Sequence, residues 1–342
     1  MKYPLVSFCM STYKRPDILH RQLIQILKQE YSNYEIVISD NDPEASAAGV
    51  VLRINDNRIK YSCNEVNVGM VKSFNKSIER STGEFIVMIT DDDPAYPHML
   101  SDLISLYNAY PDYGVYAGCG DLIIENEFSQ KTLQRQIGSN STLLKSLDEN
   151  QVLLLTPNDY VSSYLDGFFS NTYLLWSCCM IKRDIILNIK GMPDYGSELL
   201  TDHAFMIASG SFQGVVYKNR VMGGQAIHGG NYGYDFEKIS DKYISTPILF
   251  YNYLKPHLTK LSNYEYLENK IWTFVGRGYV EYSLMIFNMY KLKNKSTRFF
   301  FDSFNKAFSH PSLNKWKYKF YLKAYFRPIF NVILLFKKIR SA

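Results

Sequence analysis

The chain reads as an α/β protein built on a mostly parallel sheet with flanking helices, followed by a helical C-terminal region rich in basic and aromatic residues. Three observations predict this. Over the first 120 residues, short apolar runs alternate with segments whose apolar residues recur at helical spacing. Polar and acidic clusters stand where those apolar runs end. From residue 236 onward strand signals give way to long helical segments crowded with aromatics.

The elements follow in order. The run 4–10, PLVSFCM, is a strand bounded by turn signals. In 15–29, Ile18, Leu19, Leu23, Ile26 and Leu27 share one helix face, and Pro16 sits in the first turn. Residues 34–39 are a strand, 43–55 a polar helix-compatible segment and 58–62 a weaker strand. Met70, Val71, Phe74 and Ile78 mark a helix over 69–81. The run 84–89, EFIVMI, is a strongly buried strand, 96–110 a helix and 113–118 another strand. The polar stretch 121–150 reads as an insertion or mobile loop. Mixed α/β signals return over 157–220, with YLLWSCCMI extended and DHAFMIASGS helical. The segment 223–234, GGQAIHGGNYGY, reads as a glycine-rich mobile loop. This divides the chain into 1–234, with a first half 1–120 and a second half 121–234, and a helical region 235–342.

Composition narrows the class. With 46% apolar residues over 342, a full core is available. Five cysteines, odd in number and without a CxxC pair, suit reduced thiols in a cytosolic setting. The N-terminus lacks signal-peptide architecture, and no apolar run reaches the roughly 18 residues a spanning helix needs. Residues 303–342 hold nine Lys or Arg and no Asp or Glu, leaving 29 basic and 33 acidic residues in 1–302. A mildly acidic body with a basic tail is unlike a nucleic-acid enzyme, whose body is usually basic too.

Three polar clusters end predicted strands: Ser11-Thr12-Tyr13, Asp40-Asn41-Asp42 and Asp91-Asp92-Asp93. In open α/β sheets ligands bind beyond the carboxyl ends of the strands, so these distant residues converge on one crevice. Dinucleotide-binding, Walker A, nucleophile-elbow and HExxH motifs are absent. What remains is a carboxylate-lined crevice. Clustered carboxylates with a hard divalent cation hold diphosphates well, because the ion bridges two sets of anionic oxygens.

Four segments resemble glycosyltransferase family 2, whose members have the GT-A fold and transfer sugars from nucleoside diphosphates. These are VSFCMSTYKRPDILHRQL, YEIVISDND, the block NVGMVKSFNKSIERSTGEFIVMITDDDPAYPHML with its DxD-type acids, and GSELLTDHAFMIASGSFQGVVY. In this order they cover roughly two-thirds of the chain. The resemblance implies that Thr12 and Tyr13 form the turn under the nucleobase, that Asp40 accepts hydrogen bonds from the base, and that Asp91 lies near the ribose. Asp92 would be the direct ligand of Mn²⁺ or Mg²⁺, and Asp93 would cap the following turn. Asp202 would be the general base of an inverting single displacement. The partners it implies are a nucleoside-diphosphate sugar donor and a glycan or lipid-linked glycan acceptor, as in O-antigen or capsule biosynthesis. Two departures stand out. Asp40-Asn41-Asp42-Pro43 replaces the frequent Asp-Asp-Gly-Ser, and Thr201-Asp202-His203 replaces Glu-Asp-aromatic, leaving Glu198 as an alternative base.

Other residues admit two readings. His228 is either a metal or diphosphate contact or a solvent-exposed loop histidine, and Asn231 shares its loop. Arg15 and Lys72 read as solvated surface rather than phosphate contacts, and Trp176 as core. The tail, about 312–342, reads as a peripheral contact with an anionic membrane at its cytoplasmic face, or as a basic helix packed on the body. Two rival functions remain: a sugar nucleotidyltransferase, against which the missing glycine-rich loop counts, and a non-catalytic nucleotide-sugar-binding module.

Overall fold

The computed structural model describes residues 2–167, 174–228 and 235–326. Nine strands among these form one sheet in the order β3-β2-β1-β4-β8-β5-β9-β7, with β6 paired to β5. The strands are β1 (Val6–Thr12), β2 (Tyr34–Asp40), β3 (Ile59–Cys63), β4 (Phe85–Met88), β5 (Val115–Ile124), β6 (Gly138–Asn140), β7 (Val152–Leu155), β8 (Cys179–Lys182) and β9 (Val215–Ile227). β3, β2, β1, β4, β5 and β9 run one way, while β8, β7 and β6 run against them. The sheet is therefore mixed, with a mostly parallel body, as the alternating sequence implies.

Side-chain alternation splits the core into two layers. Val6, Phe8 and Met10 of β1 and Phe85 and Val87 of β4 point to one face. There they meet α1 (Pro16–Ile26), α2 (Ala48–Ile54) and α4 (Met99–Ala109). Cys9, Ile86 and Met88 point to the other face, toward α3 (Met70–Arg80). That layer also holds α6 (Pro157–Asp166), α7 (Arg183–Asn188) and α8 (Thr201–Gln213). The C-terminal helices α9 (Phe236–Leu258), α10 (Tyr264–Leu292), α11 (Arg298–Ala307), α12 (Pro311–Asn314) and α13 (Trp316–Tyr325) join the same apolar cluster.

Four expectations change. The stretch 121–150 is not irregular throughout. β5 runs on to Ile124 because β9 pairs with it, and Asn126 then caps α5 (Glu127–Leu133) by accepting from Ser129 N at 2.9 Å. Among the described residues of YLLWSCCMI, 174–181, only Cys179 onward is strand, preceded by a 3₁₀ turn at Trp176–Cys178. Gly223–Ile227 lie in β9 rather than in a loop, with Gly223 opposite Gly120 and Gly224 opposite Asp121. His228 follows β9, and the rest of that predicted loop, 229–234 with Asn231, lies outside the described residues. Finally, the first part of the predicted tail is a structural element. Leu313 and Phe320 are fully buried, and Phe320 packs 4.5 Å from the Phe304 ring. Residues 327–342, including the apolar run 329–336, lie outside the described residues.

The seating of α13 rests on one glycine. A Cβ at Gly276 would lie 2.2 Å from Trp316 Nε1, whereas one at Gly278 of the same helix would meet nothing within 4 Å. Gly276→Ala is expected to destabilise the protein by about 1–3 kcal/mol through overpacking. Gly278→Ala is expected to be neutral or to stabilise by up to about 1 kcal/mol. Urea denaturation of the two variants checks the pair.

Candidate active site

The site forms where strand order reverses. β1 lies between β2, the next strand in sequence, and β4, so a crevice opens beyond their carboxyl ends. Register sets its contents. Thr12 pairs with Asp40 across β1 and β2, and Cys9 pairs with Met88 across β1 and β4. Three residues further along, Thr12 Oγ1 donates to Asp91 Oδ2 at 2.8 Å.

The acid turn after β4 is held on both sides. Buried Gln22 of α1 donates through Nε2 to the carbonyls of Thr90 (3.0 Å) and Asp93 (2.5 Å). From β9, Ala226 N donates to Asp93 Oδ1 at 3.0 Å and Gly224 N donates to the Pro94 carbonyl at 2.9 Å. The glycine at 223 permits this approach, since a Cβ there would stand 2.6 Å from Pro94 O. The glycines that suggest a flexible loop in sequence are close-contact residues in the structure.

Charge across the turn is uneven. Arg15 bridges two acids, with Nη2 2.6 Å from Asp91 Oδ1 and Nη1 2.9 Å from Asp92 Oδ2. The surface reading of Arg15 is thereby corrected; register brings it to the acids. His228 Nε2 lies 3.1 Å from the same Asp92 oxygen. Burial pushes the Asp91 carboxyl up to about 6, with Arg15 opposing the rise and Asp92 adding to it. Burial, reinforced by Asp92, pushes Asp93 up to about 7. Burial acts on Asp92 as well, but the hydrogen bond from His228 and the charge of Arg15 outweigh it and hold the carboxyl below its usual range. The hydrogen bond to Asp92 in turn raises His228. The anionic charge thus concentrates on Asp92, the most exposed of the three, with 12% of its side chain accessible against 1% for Asp91.

At the end of β2, Asp40 is fully buried and engaged by the chain itself. Oδ1 accepts from Asp42 N at 3.0 Å, and Oδ2 accepts from Ala47 N at 3.0 Å and from Tyr61 OH at 2.7 Å. These bonds shape the loop after β2, and a base could not reach the carboxylate unless that turn opened. Tyr13 is exposed at the crevice rim, beside Lys14 in the left-handed region at φ 54°. Lys72 is exposed, as expected.

A second feature lies at the start of α8. Asp202, His203, Met206, Tyr164, Trp176, Gln225, Leu174 and Leu175 line an open pocket of about 110 Å³. Leu200, held at φ 60°, sets the angle at which α8 begins, and Asp202 sits in the first turn, where the helix dipole favours a carboxylate. Asp202 Oδ1 accepts from His203 N at 2.8 Å. Glu198, the alternative base, is instead paired with Lys242, whose Nζ lies 2.7 Å from Oε1. Trp176 is not simply core. One side packs edge-on against Phe74 at 5.4 Å between ring centroids, and another lines the pocket. β9 joins the two features, because Gln225 of the pocket is the chain neighbour of Ala226, which holds Asp93.

Sequence reading set Arg15 aside as surface, named His203 only as the neighbour of Asp202, and missed Gln22, Tyr164 and Gln225. All of these meet the site only through packing. The acid turn offers a divalent cation two groups, Asp92 and His228, which are paired with each other at 3.1 Å. Among the described residues no group of three or more His, Cys, Asp or Glu converges on one point. The Asp92 carboxylate and the His228 imidazole do converge, and cations of the Mg²⁺ type commonly take few protein ligands with phosphate oxygens and water completing the shell.

Comparison with known proteins decides the family. The model described as Glycosyl transferase family 2 matches residues 7–186, more than half of the chain. The protein belongs to glycosyltransferase family 2. Within the family, it is 29% identical over 176 residues to the Escherichia coli UDP-Glc:alpha-D-GlcNAc-diphosphoundecaprenol beta-1,3-glucosyltransferase WfgD, an alignment covering 50% of this chain and 68% of that one. It is 29% identical over 141 residues to the GalNAc(5)-diNAcBac-PP-undecaprenol beta-1,3-glucosyltransferase of Campylobacter jejuni, covering 39% and 44% respectively. The chain spans between 36% and 68% of the length of the first curated relatives it matches. Staphylococcus aureus TarS 1–349 in complex with UDP-GlcNAc shares the fold, with a TM-score of 0.51 at 14% identity, over 93% of this chain and 92% of that one. The common architecture of this family 2 chain is the GT-A fold.

Stability separates the two features. Gln22→Met leaves buried carbonyls of the acid turn without their donor, and is expected to lower the unfolding free energy by about 1–3 kcal/mol. Asp202→Asn removes a partly exposed carboxylate with one local bond, and is expected to stay within about 0.5 kcal/mol of wild type. Chemical denaturation of both variants checks this.

Proposed function

We propose that the protein is a metal-dependent inverting glycosyltransferase that moves a sugar from a nucleoside-diphosphate donor to a hydroxyl of a lipid-linked glycan. The observation that carries the reading is the pairing of a charge-focused Asp92 with a separate, accessible Asp202, joined through β9. Tyr13 stands under the base at the crevice rim, and Asp40 shapes the loop that faces it. Thr12 and Arg15 orient Asp91 toward the ribose and diphosphate side of the crevice. Asp92 and His228 would hold the divalent cation, Mn²⁺ or Mg²⁺, which when bound would neutralise charge on the leaving diphosphate. Asp202 takes the proton of the acceptor hydroxyl as its oxygen bonds to the anomeric carbon. The bond from that carbon to the phosphate oxygen breaks on the opposite side, and configuration inverts. The named activities of the Escherichia coli and Campylobacter jejuni relatives, both on undecaprenol-linked acceptors, support the acceptor class.

The C-terminal region supports a peripheral station at the inner face of the membrane. Among the described residues no helix is long and apolar enough to cross a bilayer. Tyr318, Tyr321 and Tyr325 stand at helical spacing on the exposed face of α13, with Phe326 beside them. Lysines 315, 317 and 319 share the helix or its start, while Lys323 is paired with Glu281; the aromatics and the three lysines make a combination suited to an anionic headgroup layer.

Two experiments test this. Thermal shift with UDP, GDP, CDP and dTDP, each with and without Mn²⁺ or Mg²⁺, is expected to give a metal-dependent rise for one nucleotide. Asp92→Ala should abolish it. Asp202→Asn should keep that shift while transfer falls about 10²- to 10⁴-fold. With UTP, GTP, CTP and dTTP added to the panel, a response to triphosphates alone would favour the nucleotidyltransferase, and no response to any nucleotide would count against the donor site. For the membrane, truncation must spare α13, so the chain is ended after Phe326 and Tyr318→Ser/Tyr325→Ser added. Loss of co-sedimentation with anionic vesicles is expected, and binding that survives both changes would reject the contact.

A further inference from the structure

We infer that His203 and Tyr164 form a fixed-tautomer donor unit that recognises an acceptor sugar hydroxyl next to the one Asp202 deprotonates. This rests on the reading of Asp202 as the base.

The inference begins with a buried hydroxyl. Tyr164 of α6 is 2% exposed, and its OH lies 2.7 Å from His203 Nδ1. Among the described residues this is the one hydrogen bond that the phenol makes. Burial, together with the charge of Asp202, raises Tyr164 far above the ordinary phenol range, so it keeps its proton. A buried O–H must find an acceptor, and Nδ1 is the acceptor within reach. Tyr164 therefore donates, Nδ1 carries a lone pair, and the neutral ring bears its proton on Nε2.

The ring is also locked in place. It meets the Tyr164 ring at 5.8 Å and the Phe274 ring of α10 at 5.2 Å, both edge-on at 77°. Nε2 has no protein partner among the described residues and is not sealed from solvent, in a side chain that lines the pocket beside Asp202. The pocket thus offers an N–H donor from His203 next to a carboxylate acceptor from Asp202. Trp176, Leu174 and Met206 supply an apolar wall, and Gln225 a second polar group. A pyranose has this pattern, with neighbouring hydroxyls on its rim and C–H faces. His203 holds one hydroxyl by donating to its oxygen, leaving the neighbouring hydroxyl to donate to Asp202. In this scheme His203 and Tyr164 position the acceptor and transfer no proton.

The test is ¹⁵N–¹H NMR of the full chain with ¹⁵N-labelled histidine, with His203 assigned by comparison with His203→Gln. Wild type is expected to show a neutral ring protonated at Nε2, and Tyr164→Phe to lose that preference. Methyl glycosides of glucose, galactose and N-acetylglucosamine are then titrated. At least one is expected to move the His203 signals, with a dissociation constant at least fivefold weaker in Tyr164→Phe. A wild-type His203 protonated at Nδ1 would overturn the inference, as would a panel in which no sugar moves its signals. Nucleotide binding to the same samples separates the failures. A nucleotide that binds with metal while no sugar moves His203 sinks this inference and leaves the donor site standing. A sugar that moves His203 while no nucleotide binds sinks the donor site alone.

Discussion

Three adjacent carboxylates at the end of a buried strand repel one another, and the surrounding structure is arranged to answer that repulsion. Each acid receives a different answer. Asp91 takes a hydroxyl and a guanidinium, and Asp93 takes a backbone N–H from β9. Asp92 takes Arg15 and His228 while keeping contact with solvent. The outcome is one well-ionised carboxylate at the mouth of the crevice, flanked by two whose charge burial suppresses. Like charges this close disfavour one another's ionisation, so burial and the uneven supply of partners leave most of the charge on one acid.

The same constraint accounts for distant parts of the molecule. Asp93 reaches a donor because β9 runs alongside the acid turn, and β9 approaches that closely because residue 223 lacks a Cβ. β9 then continues to His228 and carries Gln225 into the pocket of Asp202. One strand thereby couples the centre that would hold the donor to the pocket that would hold the acceptor. α10 contributes from the other side, since Phe274 packs against His203. The C-terminal helices are part of the pocket's support, and α13 is seated on them through Gly276 and Trp316.

Much of this was legible in the chain itself. The strands and helices of the first 120 residues follow from apolar periodicity, and their alternation implies parallel strands and a crevice at their ends. The candidates Thr12, Asp91, Asp92 and His228 come together there. Less legible was anything that depends on a partner strand. Residues 121–124 and 223–227 look like loop because their composition is polar or glycine-rich, yet pairing between β5 and β9 makes them strand. Arg15 looks like solvated surface because periodicity on α1 says nothing about the turn before it.

The sequence alone therefore determined the order of elements over the first 120 residues and the acids at the strand ends, and carried the resemblance to the family, because those depend on local periodicity and on residue type. The tertiary structure alone decided how charge is divided among the three acids, that Asp40 is engaged by its own loop, and that Glu198 is tied to Lys242 while Asp202 opens to a pocket. It also set the Tyr164 hydroxyl against His203 Nδ1. Each of these depends on which donor, from a segment distant in sequence, comes within about 3 Å of a given oxygen or nitrogen, and only packing sets that distance.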